Sequence, residues 1–249
     1  MPVLCVIPAR LASSRLPRKP LLPLAGEPLI VWVARRVADA GVASRVVVAT
    51  DAREIAAQVE RAGYEAILTT TQPESGTERV AEVVAKKEFT EFDLVLNVQG
   101  DEPLVAAAAL AGALARVAGG DAIGTAAGSL APEHAADPSR VKVVCDARGR
   151  AQYFSRAPIP FDRDGTGDVH YHQHVGVYAY TREALDRWVR LPPAPPERWE
   201  RLEQLRPLWH GMTIGVALLP EAVARGVDTP DDVEWVEAAL TRQLKGVSP

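Results

Sequence analysis

The sequence predicts an α/β fold: a mostly parallel sheet flanked by helices, with a smaller antiparallel lobe inserted in the second half. Two observations carry this. Through the first half, short apolar runs alternate with segments of helical period, which is the signature of βαβ units. After about residue 130 the pattern changes, and strand-like runs succeed one another with turn residues between them. The 249 residues suffice for one large domain with a sizeable core. The expected layout is a single domain over residues 1–249 with the lobe at about 130–215.

Val3–Ile7 reads as a buried strand. Leu29, Val33 and Val37 share one helical face. Arg45–Thr50 is a strand, and Ile55, Val59 and Ala62 mark a helix ended by Gly63. Glu65–Thr69 is a weaker strand. Val80, Val83 and Val84 mark a helix in which Glu82 and Lys86 are spaced for an i,i+4 ion pair. Asp93–Gln99 is a strong strand. In the second half, Arg140–Asp146 and Ala151–Ser155 are strands joined by a turn at Arg148-Gly149, and a Pro- and Gly-containing loop leads to the strand Tyr171–Thr181. Trp199, Leu202, Leu205 and Trp209 recur at helical spacing, and Thr213–Leu219 is a strand. The last helix starts at the cap Thr229, with Pro230 in its first position and Asp232 closing a capping box. Val233, Val236 and Leu240 form its buried face.

Composition narrows the function. The net charge of −4 argues against a nucleic-acid coat, which needs many phosphate-neutralising cations. The apolar stretch 105–120 is too short to span a bilayer and contains Arg116. Cys5 and Cys145 sit in apolar runs without CxxC spacing, so no disulfide framework is implied. The N-terminus lacks a basic segment before its apolar run, unlike a signal peptide. A soluble cytoplasmic protein is expected.

Against this acidic background, Arg10, Arg15, Arg18 and Lys19 crowd one loop at the carboxyl end of the first strand. Ligands of open α/β sheets bind at that edge. The loop is neither a Walker nor a dinucleotide motif, but four cations there suit a polyphosphate. Asp101 and Glu102 come just after the strong strand at the same edge. A carboxylate beside a triphosphate calls for a divalent cation between them, although Gly-Asp-Glu-Pro is also good turn chemistry. Asp228 stands just before a helix cap and is a candidate second metal carboxylate.

These blocks, with the segments PARLASSRLPRKPLLPLAGEPLI, NVQGDEPL, YFSRAPIPFDRD, HVGVYAY, LEQLRPLWHG and GVDTPDD in this order, closely resemble the 3-deoxy-D-manno-octulosonate (Kdo) cytidylyltransferases. The resemblance covers nearly the whole chain. It implies a nucleotidyltransferase fold and an enzyme that joins CTP to the anomeric hydroxyl of Kdo, releasing pyrophosphate, for lipopolysaccharide synthesis. It further implies Mg2+, a homodimer, and no nucleic-acid or membrane partner. Arg10, Arg15 and Lys19 match the family's phosphate-gripping residues, and Asp101 and Asp228 its magnesium carboxylates. Ala9, Ser75, Gly76, Arg79 and Gln99 match the nucleotide site. Gln99, Arg156, His174, Tyr178, Glu203 and Gln204 match positions lining the sugar-acid pocket. Three departures stand out: Arg18 replaces the glycine usual in LPGKPL, Glu78 replaces an aspartate, and 71–74 replaces a stretch often carrying Asp-His.

His170, His172 and His174 alternate along a strand, so all three share a face. Only His174 matches the family, and no residue to orient a zinc-bound histidine is identifiable. Tyr178 and Tyr180 are expected on opposite faces, with Tyr178 toward the pocket. Trp199 and Trp209 are read as core or dimer contacts. Rival readings are transfer to a related sugar acid (8-amino-Kdo or a sialic-type acid), a non-catalytic nucleotide-binding protein, and a nucleic-acid-binding module.

Overall fold

The computed structural model describes residues 1–12, 15–70, 73 and 75–245. Ser13 and Ser14 of the basic loop, and Thr71, Gln72 and Glu74 of the departing 71–74 stretch, lie outside the described residues. The chain divides into two compact units, one of residues 1–107 with 224–249 and one of residues 108–223. The second unit starts before and ends after the 130–215 segment.

In the first unit, β1 (Val3–Ala9) is buried at every position. A two-strand ribbon, β2 (Pro23–Leu24) and β3 (Glu27–Pro28), leads into α1 (Leu29–Ala40). Leu29, Val33 and Val37 are buried on α1 as their spacing predicts. Gly41 ends the helix at φ 65°, in the left-handed region where glycine carries no Cβ penalty. Then come β4 (Arg45–Thr50), α2 (Arg53–Arg61), β5 (Glu65–Leu68), α3 (Gly76–Val84) and β6 (Leu94–Val98). The strand order β6-β1-β4-β5 is parallel throughout. Strands this apolar are expected when helices cover a parallel sheet: α1 and α3 pack on β1 and β4, and α2 on β4 and β5.

Two local expectations fail here. Ala62 lies beyond the last turn of α2 and is exposed, because the helix stops at Arg61. Glu82 does not pair with Lys86. Helix α3 ends at Val84, and the backbone of Lys86 is extended. Glu82 instead accepts from the Thr70 backbone N at 2.7 Å and from its hydroxyl at 2.8 Å.

The second unit begins within α4 (Ala107–Ala118), at its second residue, and continues with β7 (Ile123–Leu130); neither element is marked in the sequence. Both are built from Ala, Gly and Ser with few large apolar anchors, so the periodicity signal is weak. Next are β8 (Lys142–Cys145), β9 (Ala151–Ser155) and β10 (Tyr171–Thr181). The turn between β8 and β9 holds Gly149 at φ 71°. The chain continues through α5 (Arg182–Arg190), α6 (Pro195–Glu200), α7 (Leu205–Trp209) and β11 (Ile214–Ala222). Strand β7 pairs antiparallel with β10 and parallel with β11, while β8 pairs antiparallel with β10 and β9. The helical spacing of Trp199, Leu202, Leu205 and Trp209 does not describe one helix. Arg201, at φ 53°, breaks the run into α6 and α7. Leu202 and Leu205 are buried, but Trp199 and Trp209 are 80% and 60% exposed, so neither is core.

The chain then rejoins the first unit with α8 (Pro230–Leu244). The predicted capping box is present: Thr229 accepts from Asp232 N, and Asp232 accepts from Thr229 N. Val236 and Leu240 are buried and Val233 partly so. Both cysteines are free. No helix among the described residues is long and apolar enough to cross a membrane.

Gly124 of β7 tests this packing. A Cβ there would fall well inside contact distance of the Ala113 carbonyl of α4, a backbone atom that cannot swing aside. Gly124→Ala is expected to cost about 1–3 kcal/mol and to lower Tm by roughly 3–10 °C. An unchanged melting curve would contradict the close approach.

Candidate active site

The nucleotide-side candidates gather in the first unit at the carboxyl ends of its strands, and they are tied together by backbone as much as by side chains. Gly100, just after β6, lies against β1: a Cβ there would sit 2.7 Å from the Pro8 carbonyl. This close approach brings Asp101 beside the end of β1. Val227 N then donates to the Asp101 carbonyl at 2.9 Å, so the segment before α8 docks on the same turn. The capping residue Asp232 fixes the two residues ahead of the helix, because its Oδ2 accepts from Asp228 N (3.1 Å), Thr229 N (2.9 Å) and the Thr229 hydroxyl (2.8 Å). Its Oδ1 accepts from Arg225 at 3.2 Å.

The result is that Asp101 and Asp228, distant in sequence, converge on one cation. Lys19 Nζ lies 2.6 Å from Asp101 Oδ2, 3.0 Å from Asp228 Oδ1 and 2.9 Å from the Val227 carbonyl. An ammonium has three donors, and all three are used. Arg15 reaches Asp228 Oδ1 at 3.1 Å from a more exposed position. Burial works against charge on Lys19, but the two carboxylates outweigh it and hold its pKa above the usual lysine value. Burial likewise works to raise the Asp228 carboxyl, yet Lys19 and Arg15 hold it below the usual carboxylate range. The two carboxylates present only hard oxygen donors, and they already face a common cation. That set fits magnesium, which takes one or two protein carboxylates and completes its shell with water and phosphate oxygens. No cluster of three or more His, Cys, Asp or Glu that could hold a metal occurs among the described residues.

Arg10 is exposed at the end of β1, after Ala9. Arg18 points elsewhere: its guanidinium pairs with Glu54 at 2.5 Å. Its backbone is left-handed at φ 58°, a conformation in which glycine is the favoured residue. Ser75 caps α3 by accepting from Glu78 N at 3.2 Å. Gly76 lets the start of α3 approach Gln99, whose amide would lie 3.3 Å from a Cβ at this position. Arg79 is 3% exposed. Its guanidinium reaches Thr69 Oγ1, the Thr70 carbonyl (3.2 Å) and Asp51 (3.4 Å), so it braces the chain around the start of α3.

The sugar-side candidates lie in the second unit. On β10, a register shift between Val175 and Tyr178 interrupts the pairing with β7. His174 stacks edge-on against Phe154 (centroids 5.1 Å apart) and lies 5.4 Å from the Tyr178 ring. Tyr178 and Tyr180 both meet Trp188 edge-on, at 5.7 and 6.1 Å. The expectation that they face opposite ways is therefore wrong: residues two apart on a strand share a face. The Thr125 hydroxyl donates to the Val177 carbonyl at 2.6 Å and lies 2.9 Å from His174 Nε2. Its single proton is thereby spent, so it accepts from a protonated Nε2, which leaves Nδ1 as an acceptor. His174 keeps some accessible surface, but its apolar surroundings desolvate the ring and push its pKa down to about 3. Gln204 is buried and Glu203 partly so at the start of α7. The Arg156 guanidinium is turned onto backbone carbonyls, donating through Nε to Glu200 O and through Nη1 to Pro138 O, each at 2.7 Å. Thr125, Lys142 and Glu200 are not singled out by the sequence. A lone Thr, a Lys in an alternating strand and a Glu in a charged helix carry no local signal.

Comparison with known proteins decides the family. Residues 4–214 match the family model described as Cytidylyltransferase. The chain belongs to the cytidylyltransferase family. A 3-deoxy-manno-octulosonate cytidylyltransferase of Gemmatimonas aurantiaca is 53% identical over 94% of this cytidylyltransferase and 92% of its own length. One of Methylococcus capsulatus is 47% identical over 98% and 97%. The structure of a CMP:2-keto-3-deoxy-manno-octonic acid synthetase complexed with CTP aligns at TM-score 0.89 and 39% identity, covering 98% of this chain and all of that one. The inositol-1-phosphate CTP transferase of T. maritima shares the fold, with a TM-score of 0.70 at 17% identity.

The neutral His174 gives a pH test. Its folded pKa lies below the unfolded value of about 6.5, so the unfolded chain binds the extra proton as pH falls. Stability from this residue is complete above about 6.5 and is lost as pH falls toward 3. Between pH 7 and pH 5 it should account for a loss of roughly 1–2 kcal/mol. His174→Gln, which cannot titrate, is expected to show a smaller drop in Tm over that interval. Equal drops in the two proteins would contradict the assignment.

Proposed function

We propose that the cytidylyltransferase joins CTP to Kdo, giving CMP-Kdo and pyrophosphate. The observation that carries this is the convergence of Lys19, Arg15, Asp101 and Asp228 at the carboxyl edge of the first unit, in a chain about half identical to relatives named for that reaction. The product serves lipopolysaccharide synthesis. The protein works in the cytoplasm as a homodimer, a reading supported by the family resemblance and by the exposed Trp199 and Trp209.

In this reading the anomeric oxygen of Kdo forms a bond to the α-phosphorus of CTP. The bond from that phosphorus to the β-bridging oxygen breaks, pyrophosphate leaves, and the hydroxyl proton passes to solvent. Lys19, Arg15 and Arg10 bind the phosphates and offset charge as it builds on the leaving group. Asp101 and Asp228 would hold magnesium, which when bound supplies further positive charge to the phosphates and orients them. The starts of α3 and the end of β1 bind the nucleoside, with Ala9, Ser75, Gly76 and Gln99 at the surface and Arg79 bracing them. Arg156, His174, Tyr178, Glu203 and Gln204 bind the sugar acid; His174 stays neutral and accepts a hydrogen bond from a sugar hydroxyl at Nδ1. Catalysis is thus positioning and electrostatics, and no side chain need act as general base.

The test is pyrophosphate release with magnesium and CTP or UTP, each beside Kdo, 8-amino-Kdo and N-acetylneuraminate. Release with CTP and Kdo is expected. Release with CTP and only another acid would keep the chemistry and change the substrate, and release with none would favour a non-catalytic nucleotide binder. In the same assay Asp101→Asn is expected to lower kcat by at least about a hundredfold with its melting curve retained. A wild-type rate would remove Asp101 from the metal site.

A further inference from the structure

Arg156 is held at nearly every polar atom it has. Its backbone N donates to Glu200 Oε2 at 3.0 Å, and its carbonyl accepts from Lys142 Nζ at 2.6 Å. Its guanidinium donates to the Glu200 and Pro138 carbonyls. The other Glu200 oxygen accepts from Ser155 Oγ at 2.6 Å, and Ser155 Oγ accepts in turn from Ala157 N at 3.0 Å. One carboxylate therefore closes the turn 155–157 from one side, and one ammonium closes it from the other.

Lys142 is the odd member. It is fully buried on β8, and its two acceptors are backbone carbonyls, those of Arg156 and of Asp137 at 2.9 Å. Burial pushes its pKa down, with Asp137 and Glu200 opposing. An ammonium buried on carbonyls carries a desolvation cost that two hydrogen bonds to neutral acceptors only offset. A charge kept in such a place breaks the local rule of sequence choice, as residues of functional sites do.

Together, Lys142 and Glu200 take freedom from Arg156. An arginine that meets a carboxylate does so through a planar fork, and its orientation decides whether the contact is bidentate. The Lys142 and Glu200 side chains fix the backbone from which that fork extends, and the Glu200 and Pro138 carbonyls hold the guanidinium itself. The fork is thus placed before the ligand arrives, and an ordering cost is removed from binding. We propose that Lys142 and Glu200 are positioning residues for the sugar acid, holding Arg156 as the receptor for the substrate carboxylate. This rests on the reading of Arg156 as a sugar-acid residue, and neither Lys142 nor Glu200 touches the substrate itself.

The test compares Arg156→Ala, Glu200→Gln and Lys142→Met, measuring KM for each substrate, kcat and Tm. Glu200→Gln and Lys142→Met keep shape and remove charge. Each is expected to raise KM for Kdo about tenfold while KM for CTP stays within about twofold, and Lys142→Met, which takes the donor from the Arg156 and Asp137 carbonyls, is expected to lower Tm by a few degrees. Arg156→Ala should raise KM for Kdo at least as much. If it does and the other two variants leave KM for Kdo unchanged, the positioning role is overturned. If Arg156→Ala leaves KM for Kdo unchanged, the reading of Arg156 fails and the inference with it. A parallel rise in KM for both substrates marks general damage and also overturns it. Should Lys142→Met not fold, Glu200→Gln decides by the same criterion.

Discussion

The nucleotide side of this protein depends on one partly buried cation shared by two carboxylates. Lys19 uses all three of its donors on Asp101, Asp228 and the Val227 carbonyl. Each acceptor comes from a different stretch of chain or from the docked segment itself. The arrangement holds because backbone enforces it: Gly100 permits the contact with β1, Val227 N bonds to the Asp101 carbonyl, and Asp232 fixes Asp228 through the cap of α8. Without that frame, two carboxylates brought so close would repel one another. With it, the same oxygens that hold an ammonium form a ready donor set for a divalent cation.

Much of the first unit is legible in the sequence because its strands are continuous apolar runs and its helices carry strong periodicity. Arg45–Thr50 is a strand at the predicted bounds, and Leu29, Val33 and Val37 are buried as their spacing requires. The second unit is less legible, and for a physical reason. Helix α4 and strand β7 are rich in Ala and Gly because they pack backbone to backbone, as at Gly124 against Ala113, and close packing of small residues erases the hydrophobic pattern. The apparent helix from Trp199 to Trp209 has the right spacing but turns at Arg201, whose left-handed backbone no periodicity reveals.

The site divides in the same way. Asp101, Asp228 and the basic loop are visible because charge at the carboxyl edge of a parallel sheet has a limited set of uses. Asp232 is visible as a cap, but not as the residue that sets the Asp228 backbone, since that role depends on three-dimensional contact. Arg79 reads in sequence as a nucleotide residue and lies inward as a brace. Lys142 and Glu200 carry no local mark at all; only their bonds to Arg156 distinguish them.

The carboxylates gripping Lys19 are proposed to be the ones that make nucleotide binding depend on magnesium. The most direct measurement is calorimetric titration of CTP, with and without magnesium, into the wild-type protein and into the double variant Asp101→Asn, Asp228→Asn. Magnesium is expected to tighten CTP binding in the wild type and to leave the double variant unchanged, with Lys19 and Arg15 still giving it a measurable magnesium-independent affinity. A double variant that gains as much from magnesium as the wild type would contradict the role of these carboxylates.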